Sequence, residues 1–537
     1  MLESKLRFKI KGWINENEFR DLLEFSNYLG RTSEGALFEI DIEKMRKSGM
    51  TLRDVWAKLS SISKVDPEDL KEIERLYKEE FKVEVYLGSD GFLRIRSKVL
   101  LKPYLQKAGI DNVVWSPEEK VFKTLAHVYR DVVNKLSEQG FVIDDKLGLL
   151  EAKLPRKISF RGQLRDYQEE ALKAWESNGY RGILALPTGS GKTLIAVAGT
   201  TRLSVNTLVV VYTRDHVRQW IETFRKFSDA GNLVGAYYSE EKRISPITVT
   251  TYKSALNNIK IFASKFALVV FDEAHHLPAN TFKELALGLS APFRLGLSAT
   301  PEREDGRHVD IFPLVGGVVY HLTPTELAER GYLVPFVIKR IKVELSPLER
   351  ARYESLRRKY VELARGRTFQ ELLEAAKRGE PTAIEALKVH SEMLDSIHNS
   401  ESKLEKVVEI VKKELERGNK VIVFTQLKSQ AEEIARRLNA LLLHGGLEDE
   451  ERARTLSLFK SMKSGVLVVT TVGDEGLDVP DVSVGVVVSG TGSRRQFIQR
   501  LGRLLRPSSS KKVAVLYEVI AKGTIEEAQA KKRRELV

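Results

Sequence analysis

Short apolar runs recur along this chain, separated by longer stretches in which apolar residues return about every three to four positions. From 160 to 340 the runs are "GILAL", "TLVVVY", "ITVTTY", "FALVVF" and "FRLGL". Successive apolar positions hide both faces of a strand, so these runs predict a parallel sheet covered by helices. A charged helical block follows at 346–399, with no strand-like run and a glycine-centred turn at Arg365-Gly366-Arg367. A second set of strands comes next: "KVIVFT", "ALLLHGG", "GVLVVTT", "VSVGVVVS" and "KKVAVLYEV". The last helix is expected to start at Thr524, with Glu527 at capping-box spacing.

Residues 1–155 carry a different pattern, that of an α+β region. "KLRFKIKG" sends Leu6, Phe8 and Ile10 to one face of a short strand. "FKVEVYLGSDGFLRIRS" predicts a hairpin: Phe81, Val83, Val85 and Leu87 share a face, Asp90-Gly91 turns, and Leu93 and Ile95 continue it. Arg94, Arg96 and Lys98 fall on the opposite face, a basic surface suited to an anionic partner or else a solvated sheet face. "SPEEKVFKTLAHVYRDVVNKL" is expected to be one amphipathic helix, capped by Ser116 with Glu119 three residues on. "LEAKLPRKISFRGQ" follows as a linker. The expected fold is therefore α/β, with two parallel-sheet domains at 160–340 and 400–537. An N-terminal α+β domain precedes them and a helical insertion at 346–399 separates them.

Composition adjusts this picture only in places. The 537 residues suffice for roughly three or four domains. Lysine and arginine exceed aspartate and glutamate by 13, which favours an anionic partner, nucleic acid first. The absence of cysteine excludes disulfides, cysteine-ligated zinc and iron–sulfur clusters. The nine histidines show no H-x-x-x-H spacing. No apolar run reaches the roughly 18 residues of a membrane span, and the N-terminus does not resemble a signal peptide. A soluble, cytoplasmic protein is expected, nucleoid-associated if archaeal. High Lys and Glu without Cys also fits a thermophile.

The strongest chemical signal is "LALPTGSGKTLIA". A strand ends at Leu186, and a glycine-rich loop leads into a helix near Lys192. Gly189 and Gly191 let backbone N–H groups approach phosphate oxygens, and the helix N-terminus adds partial positive charge. Lys192 would reach the β- and γ-phosphates of ATP, and Thr193 would ligate Mg²⁺. Thr188 and Ser190 complete the nucleotide-binding set. Leu186 stands where the strict pattern has glycine; the competing reading is a plain strand–turn–helix. In "ALVVFDEAHHLP" a buried strand delivers Asp272 and Glu273 at its C-terminal end. Asp272 would hold Mg²⁺ through water, and Glu273 would position and polarise the attacking water. Adjacent histidines point different ways, so His275 is given a hydrogen-bonding role and His276 no metal.

"PTGSGKT", "DEAH", "SAT" and "QRLGRLLR" together resemble the motifs of superfamily 2 helicases over roughly 160–520. "LRDYQ", "DEAHHLPA", "APFRLGLSATPEREDGRH" and "QRLGRLLRP" resemble the XPB (Rad25) branch in its archaeal form. The resemblance implies two RecA-like domains with ATP between them, and a DNA-dependent ATPase moving 3′ to 5′ in nucleotide excision repair. By the same resemblance Arg165 and Gln168 read adenine. Ser298 and Thr300, with His275, couple hydrolysis to DNA movement. Gly476 and Asp478 sense nucleotide, Gln499 contacts the water or γ-phosphate, and Arg503 and Arg506 act as arginine fingers. Positions 499, 503 and 506 fall on one helix face.

Contacts to the DNA backbone are implied at Thr213, Arg214 and Thr251 in the first domain, and at Gly445 and Thr470 in the second. Such hydroxyls and amides fix position without reading sequence. The block 346–399 resembles a thumb-like insertion, with Arg357, Arg358 and Lys359 for DNA or for a solvated face. Arg303-Glu304-Asp305 resembles the element of this branch associated with strand separation. Residues 1–155 resemble a damage-recognition domain only by position. The expected partners are forked, single- or double-stranded DNA and a nuclease or other repair protein. Two other activities share these motifs: a double-strand DNA translocase with weak unwinding, and an RNA helicase. A non-catalytic DNA-binding scaffold would keep the fold alone.

Overall fold

Valine- and isoleucine-rich runs bounded by turn residues become strands wherever both of their faces find cover, and this rule builds most of the molecule. The structure is a computed structural model, and it describes residues 6–277, 280–299, 310–470, 482–488 and 513–534. The chain packs as two units. One comprises Met1–Leu154 with Ala255–Leu268 and Lys283–Pro292; the other comprises Pro155–Ser254, Val269–Phe282 and Phe293–Val537.

The N-terminal part of the first unit carries β1 (Arg7–Ile10), β2 (Ser26–Thr32), β3 (Gly35–Ile40), β4 (Lys82–Leu87), β5 (Phe92–Ser97), β6 (Val114–Ser116), β7 (Val121–Leu125) and β8 (Val142–Asp145). They form a three-stranded sheet, β1-β3-β2, and a five-stranded one, β6-β7-β5-β4-β8. All the pairings are antiparallel except the parallel β4–β8. The inward residues of both sheets join one core, with Phe8, Ile10, Phe38, Val83, Val85, Leu93 and Ile95 fully buried. Gly91, at φ +85°, closes the β4–β5 hairpin.

Two expectations fail here. The segment from Ser116 is not a helix: β7 occupies Val121–Leu125 and the helix starts only at Tyr129 (Tyr129–Glu138). Val121 and Phe122 bury themselves in the strand, and Lys120 turns at φ +52°. Glu119 does not cap a helix; its carboxylate reaches Arg94 Nε at 2.6 Å. That bond overturns the second expectation. Arg94 is only 7% exposed, held between Glu119 and Asp90, so it offers no free cation to DNA. These bonds hold the Glu119 carboxyl down at about 2. Arg96 and Lys98 are exposed, and Arg96 bonds Glu84 and the Tyr86 hydroxyl.

Past the linker come β9 (Arg181–Ala185), β10 (Thr207–Val211), β11 (Val234–Tyr237), β12 (Ile247–Thr251), β13 (Leu268–Phe271), β14 (Phe293–Ser298) and β15 (Val318–His321). Their order is β11-β12-β10-β13-β14-β9-β15. The pairings β11–β12, β10–β12, β14–β9 and β15–β9 are parallel. Every residue of β10, β12 and β13 is buried, as a sheet covered on both faces requires.

A second sheet holds β16 (Phe336–Val343), β17 (Lys420–Thr425), β18 (Leu441–Leu443), β19 (Gly465–Thr470), β20 (Val484–Val487) and β21 (Ala514–Ala521). Its order is β16-β21-β20-β17-β19-β18, with all neighbours parallel. Between β16 and β17 lie the helices Pro347–Ala364, Phe369–Lys377 and Pro381–His398, followed by Glu401–Glu416. The second sheet thus begins before the charged helical block, not after it. The turn at Arg365-Gly366 has φ +50° and +78°. Among the described residues no helix is long and apolar enough to cross a membrane.

Candidate nucleotide site and nucleic-acid contacts

β13, β14 and β9 are consecutive in the first sheet, so the segments leaving their C-terminal ends gather along one stretch of sheet edge. After β9 comes the loop from Leu186 to Gly191, then the helix Lys192–Leu203. Leu186 N–H donates to the Ser298 carbonyl at 2.9 Å, tying the loop's entry to the end of β14. Gly189 and Gly191 lie at φ +87° and +80°, the left-handed region that glycine enters without strain. A Cβ on Gly191 would stand 2.5 Å from Gln168 Nε2. Both features explain why this loop needs glycine.

Lys192, 9% exposed, folds over the loop. Its ammonium donates to the carbonyls of Leu186 at 2.9 Å and Pro187 at 3.2 Å. Thr188 Oγ1 and Ser190 Oγ are buried without a hydrogen-bond partner among the described residues. Buried hydroxyls are normally satisfied, so two orphans in a glycine loop at a helix N-terminus form a cradle suited to phosphate oxygens. Thr193 follows, half-buried, in the first helical turn.

Gln168 stands behind the loop, 3% exposed. Its Nε2 donates to the Ser190 carbonyl at 2.8 Å, and its Oε1 accepts from Arg165 N–H at 2.9 Å. The Tyr167 hydroxyl donates to the same Ser190 carbonyl at 2.6 Å. The Arg165 guanidinium lies over the Tyr332 ring, 5.5 Å from its centre. In this arrangement the carboxamide of Gln168 holds the loop's backbone.

After β13 come Asp272 and Glu273. Asp272 Oδ2 accepts from the Trp220 indole N–H at 2.8 Å, and Oδ1 accepts from Glu273 N–H at 3.0 Å. The Tyr252 hydroxyl donates to the Asp272 carbonyl at 2.9 Å. Burial pushes the Tyr252 phenol well up, aided by the charges of Asp272 and Glu273, so it stays a donor. Glu273 is left-handed at φ +48°, ψ +51°, a conformation that is uncommon without glycine and concentrates at functional turns. His275, 1% exposed, places Nδ1 3.3 Å from Ser298 Oγ and 3.3 Å from Glu273 Oε2.

The residues assigned to DNA are less uniform. The Thr213 hydroxyl caps the helix Arg214–Phe227 by accepting from His216 N–H, and Arg214 pairs with Glu240 at 2.7 Å. Thr251 ends β12, and its hydroxyl exchanges bonds with Ser254. In the second sheet Gly445 is exposed, beside the turn in which Gly446 N–H donates to His444 Nδ1. Thr470, 5% exposed, ends β19. Arg357, Arg358 and Lys359 are exposed on the helix Pro347–Ala364, with Lys359 paired to Glu385 at 3.0 Å. Thr300, Arg303, Glu304, Asp305, Gly476, Asp478, Gln499, Arg503 and Arg506 lie outside the described residues. Sequence reasoning missed Trp220 and Tyr252, which read as core aromatics. Their one available signal was that each sits close behind a candidate DNA loop.

Residues 161–303 match the family model of the type III restriction enzyme res subunit, and residues 386–537 match that of the ERCC3/RAD25/XPB C-terminal helicase. Loop, acidic pair, two parallel sheets and these matches define the class as that of the helicases. A protein of Sulfurisphaera tokodaii named "DNA 3'-5' translocase XPB2" is 37% identical over 80% of this chain and 98% of its own length. One of Mycobacterium tuberculosis named "DNA 3'-5' helicase XPB" is 30% identical over 74% and 68%. One of Drosophila melanogaster, named the helicase/translocase subunit XPB of general transcription and DNA repair factor IIH, is 27% identical over 69% and 45%. The chain belongs to the XPB/Rad25 family.

Proposed function

We propose that this chain is an ATP-driven DNA helicase or translocase that moves 3′ to 5′, acting in nucleotide excision repair. The observation that carries the reading is the convergence of three strand ends. β9 delivers the phosphate loop, β13 delivers Asp272 and Glu273, and β14 delivers Ser298 beside His275. The names of the relatives from S. tokodaii and M. tuberculosis support DNA as the track.

The residues divide the work among them. The loop amides and the hydroxyls of Thr188 and Ser190 bind phosphate oxygens. Lys192 releases the Leu186 and Pro187 carbonyls and turns to the β- and γ-phosphates. The hard oxygens of Thr193 and, through water, Asp272 would hold Mg²⁺, which would supply charge neutralisation for the phosphates. Glu273 orients the attacking water and accepts its proton. Arg165 and Gln168 are assigned to the adenine side, Gly476 and Asp478 to nucleotide sensing, Gln499 to the water, and Arg503 and Arg506 to transition-state charge. His275, Ser298 and Thr300 relay hydrolysis to the DNA contacts at Thr213, Arg214, Thr251, Gly445 and Thr470, with Arg357, Arg358 and Lys359 on the helical block. Arg303, Glu304 and Asp305 are assigned to strand separation.

We assign residues 1–155 to damage recognition, the helical block to a thumb-like element, and the two parallel sheets, β9 to β15 and β16 to β21, to two RecA-like domains. A repair nuclease or a larger assembly is the proposed protein partner. The Drosophila relative, named as a subunit, supports the latter. The proposed setting is the cytoplasm, on the nucleoid if the chain is archaeal.

Lys192→Ala, Glu273→Gln or Arg503→Ala should each remove DNA-stimulated ATP hydrolysis, read as phosphate release with and without DNA. Unchanged turnover in any of them refutes the assignment of that residue. A second reading, double-strand translocation with weak unwinding, is favoured by the name of the S. tokodaii relative. Unwinding of forks with 3′ or 5′ tails, set against triplex displacement, separates the two.

A further inference from the structure

Three aromatic rings touch the acidic segment, and each sits close to one of the two loops assigned to DNA. Trp220 lies on the helix Arg214–Phe227, whose first residue follows the capping Thr213. Its indole N–H donates to Asp272 Oδ2 at 2.8 Å. Tyr252 follows Thr251 directly, and its hydroxyl donates to the Asp272 carbonyl at 2.9 Å. Tyr212 precedes Thr213, and its ring stacks on His276 with centres 4.2 Å apart and planes 10° apart. Trp220 and Tyr252 are each 1% exposed, whereas Tyr212 is 38% exposed.

We infer that Trp220 and Tyr252 are positioning residues that set the orientation of Asp272 according to whether the Thr213 and Thr251 loops hold DNA. The inference rests on the ATPase and DNA assignments proposed above. The link is mechanical. Val217, Trp220 and Phe224 form the buried face of one helix, so a shift at the capped end by Thr213 carries the indole with it. The indole has one donor and no acceptor. Its bond to a carboxylate oxygen is charge-assisted, and it limits the rotation of a side chain whose other oxygen accepts from the neighbouring amide. Tyr252 holds the same residue through its backbone, from the next loop. Asp272 is therefore fixed at two points, by donors from the two segments of the first sheet that are assigned to DNA contact.

The test uses the full chain with Trp220→Phe and Tyr252→Phe, which delete a donor and keep a ring. Four quantities are measured: affinity for a non-hydrolysable ATP analogue with Mg²⁺ and with chelator, affinity for a tailed fork, the ratio of DNA-stimulated to basal turnover, and thermal stability. The gain in nucleotide affinity from Mg²⁺ should fall by about tenfold or more with Trp220→Phe, which loses a bond to a carboxylate, and by about two- to tenfold with Tyr252→Phe, which loses one to a backbone carbonyl. Chelated nucleotide and DNA should bind as in the parent, and the stimulation ratio should fall by a similar factor. Trp220→His, which keeps a ring N–H, should recover part of both. If both Phe variants keep the parent's Mg²⁺ gain and stimulation ratio, with or without a lower melting temperature, the rings only pack and the inference fails. If Trp220→Phe does not fold, Tyr252→Phe decides alone by the same readouts. A parent protein whose hydrolysis ignores DNA would refute the underlying function instead.

Discussion

His275 Nδ1 lies 3.3 Å from Ser298 Oγ, joining the turn after β13 to the last residue of β14. Both side chains are 1% exposed, so water does not compete for the contact. Ser298→Ala removes the hydroxyl and leaves the backbone bond from Leu186 N–H intact. Nucleotide affinity should stay within about twofold, while base pairs opened per ATP hydrolysed should fall by about three- to tenfold, the worth of a single buried hydrogen bond. Parallel assays of phosphate release and fork unwinding check this.

Gly191→Ala should disable the loop. The new methyl must share space with Gln168 Nε2 at 2.5 Å and adopt φ +80°. The left-handed backbone alone costs roughly 1–2 kcal/mol. Displacing Gln168 also removes one of the two side-chain donors to the Ser190 carbonyl. Calorimetric titration should show nucleotide affinity down by at least about tenfold, with the fold retained in circular dichroism.

Lys403 and Glu526 form a buried ion pair at the base of the helical block. Lys403 Nζ meets both carboxylate oxygens, at 2.6 and 2.7 Å, and Lys403 is 0% exposed. Removing one partner strands the other charge, so Lys403→Met or Glu526→Gln should each cost about 3–5 kcal/mol in denaturant unfolding. The double replacement Lys403→Met, Glu526→Leu should restore most of that loss, because neither charge is then left behind.

His398 packs against the same pair, with Nε2 3.5 Å from Glu526 Oε1. Burial pulls its pKa from 6.5 down to about 4, and the Lys403 charge adds to that, against the pull of Glu526. The unfolded chain therefore takes up this proton first. The stability contribution is complete above about pH 6.5 and is lost as pH falls toward about 4, a loss of about 2–3 kcal/mol. Unfolding midpoints across that window should slope in the parent and flatten in His398→Asn.

Replacing Arg303, Glu304 and Asp305 together by alanine should reduce unwinding well beyond any fall in DNA-stimulated hydrolysis. Equal loss of both, or of neither, would refute the assignment of these residues to strand separation.

The central strands were legible because each is apolar at consecutive positions and buried on both faces, as in "TLVVV" of β10. Those missed in the two parallel sheets, β11, β15 and β16, lie at their edges, and β11 reads only as "VGAY" although it is buried. β15 is mostly exposed, and β16 alternates as "FVIKRIKV" with Lys339 and Lys342 outward. The segment expected as a helix from Ser116 holds β7 because Val121 and Phe122 bury there and the strand pairs with β5 and β6, neighbours that capping patterns do not include. The loop around Lys192 and the acidic pair could be found from contiguous residues. The bonds of Trp220 and Tyr252 to Asp272 could not, since they depend on which strands become neighbours. Arg94 illustrates the same limit: alternation placed it outward, and only the fold brought two carboxylates over it.

The second sheet opens with β16, leaves for the helical block, and returns through the helix Glu401–Glu416 to β17. The block is therefore a closed excursion from one sheet, anchored at departure and at return. Glu349 bonds Ser402 across the two feet, Arg350 bonds the carbonyls of Lys522 and Gly523, and the Tyr353 hydroxyl accepts from Ile525 N–H. A handle fixed at two points transmits twist as well as pull. Load applied to its exposed arginines reaches the edge strand and the sheet's interior together, and swivelling about a single joint is prevented.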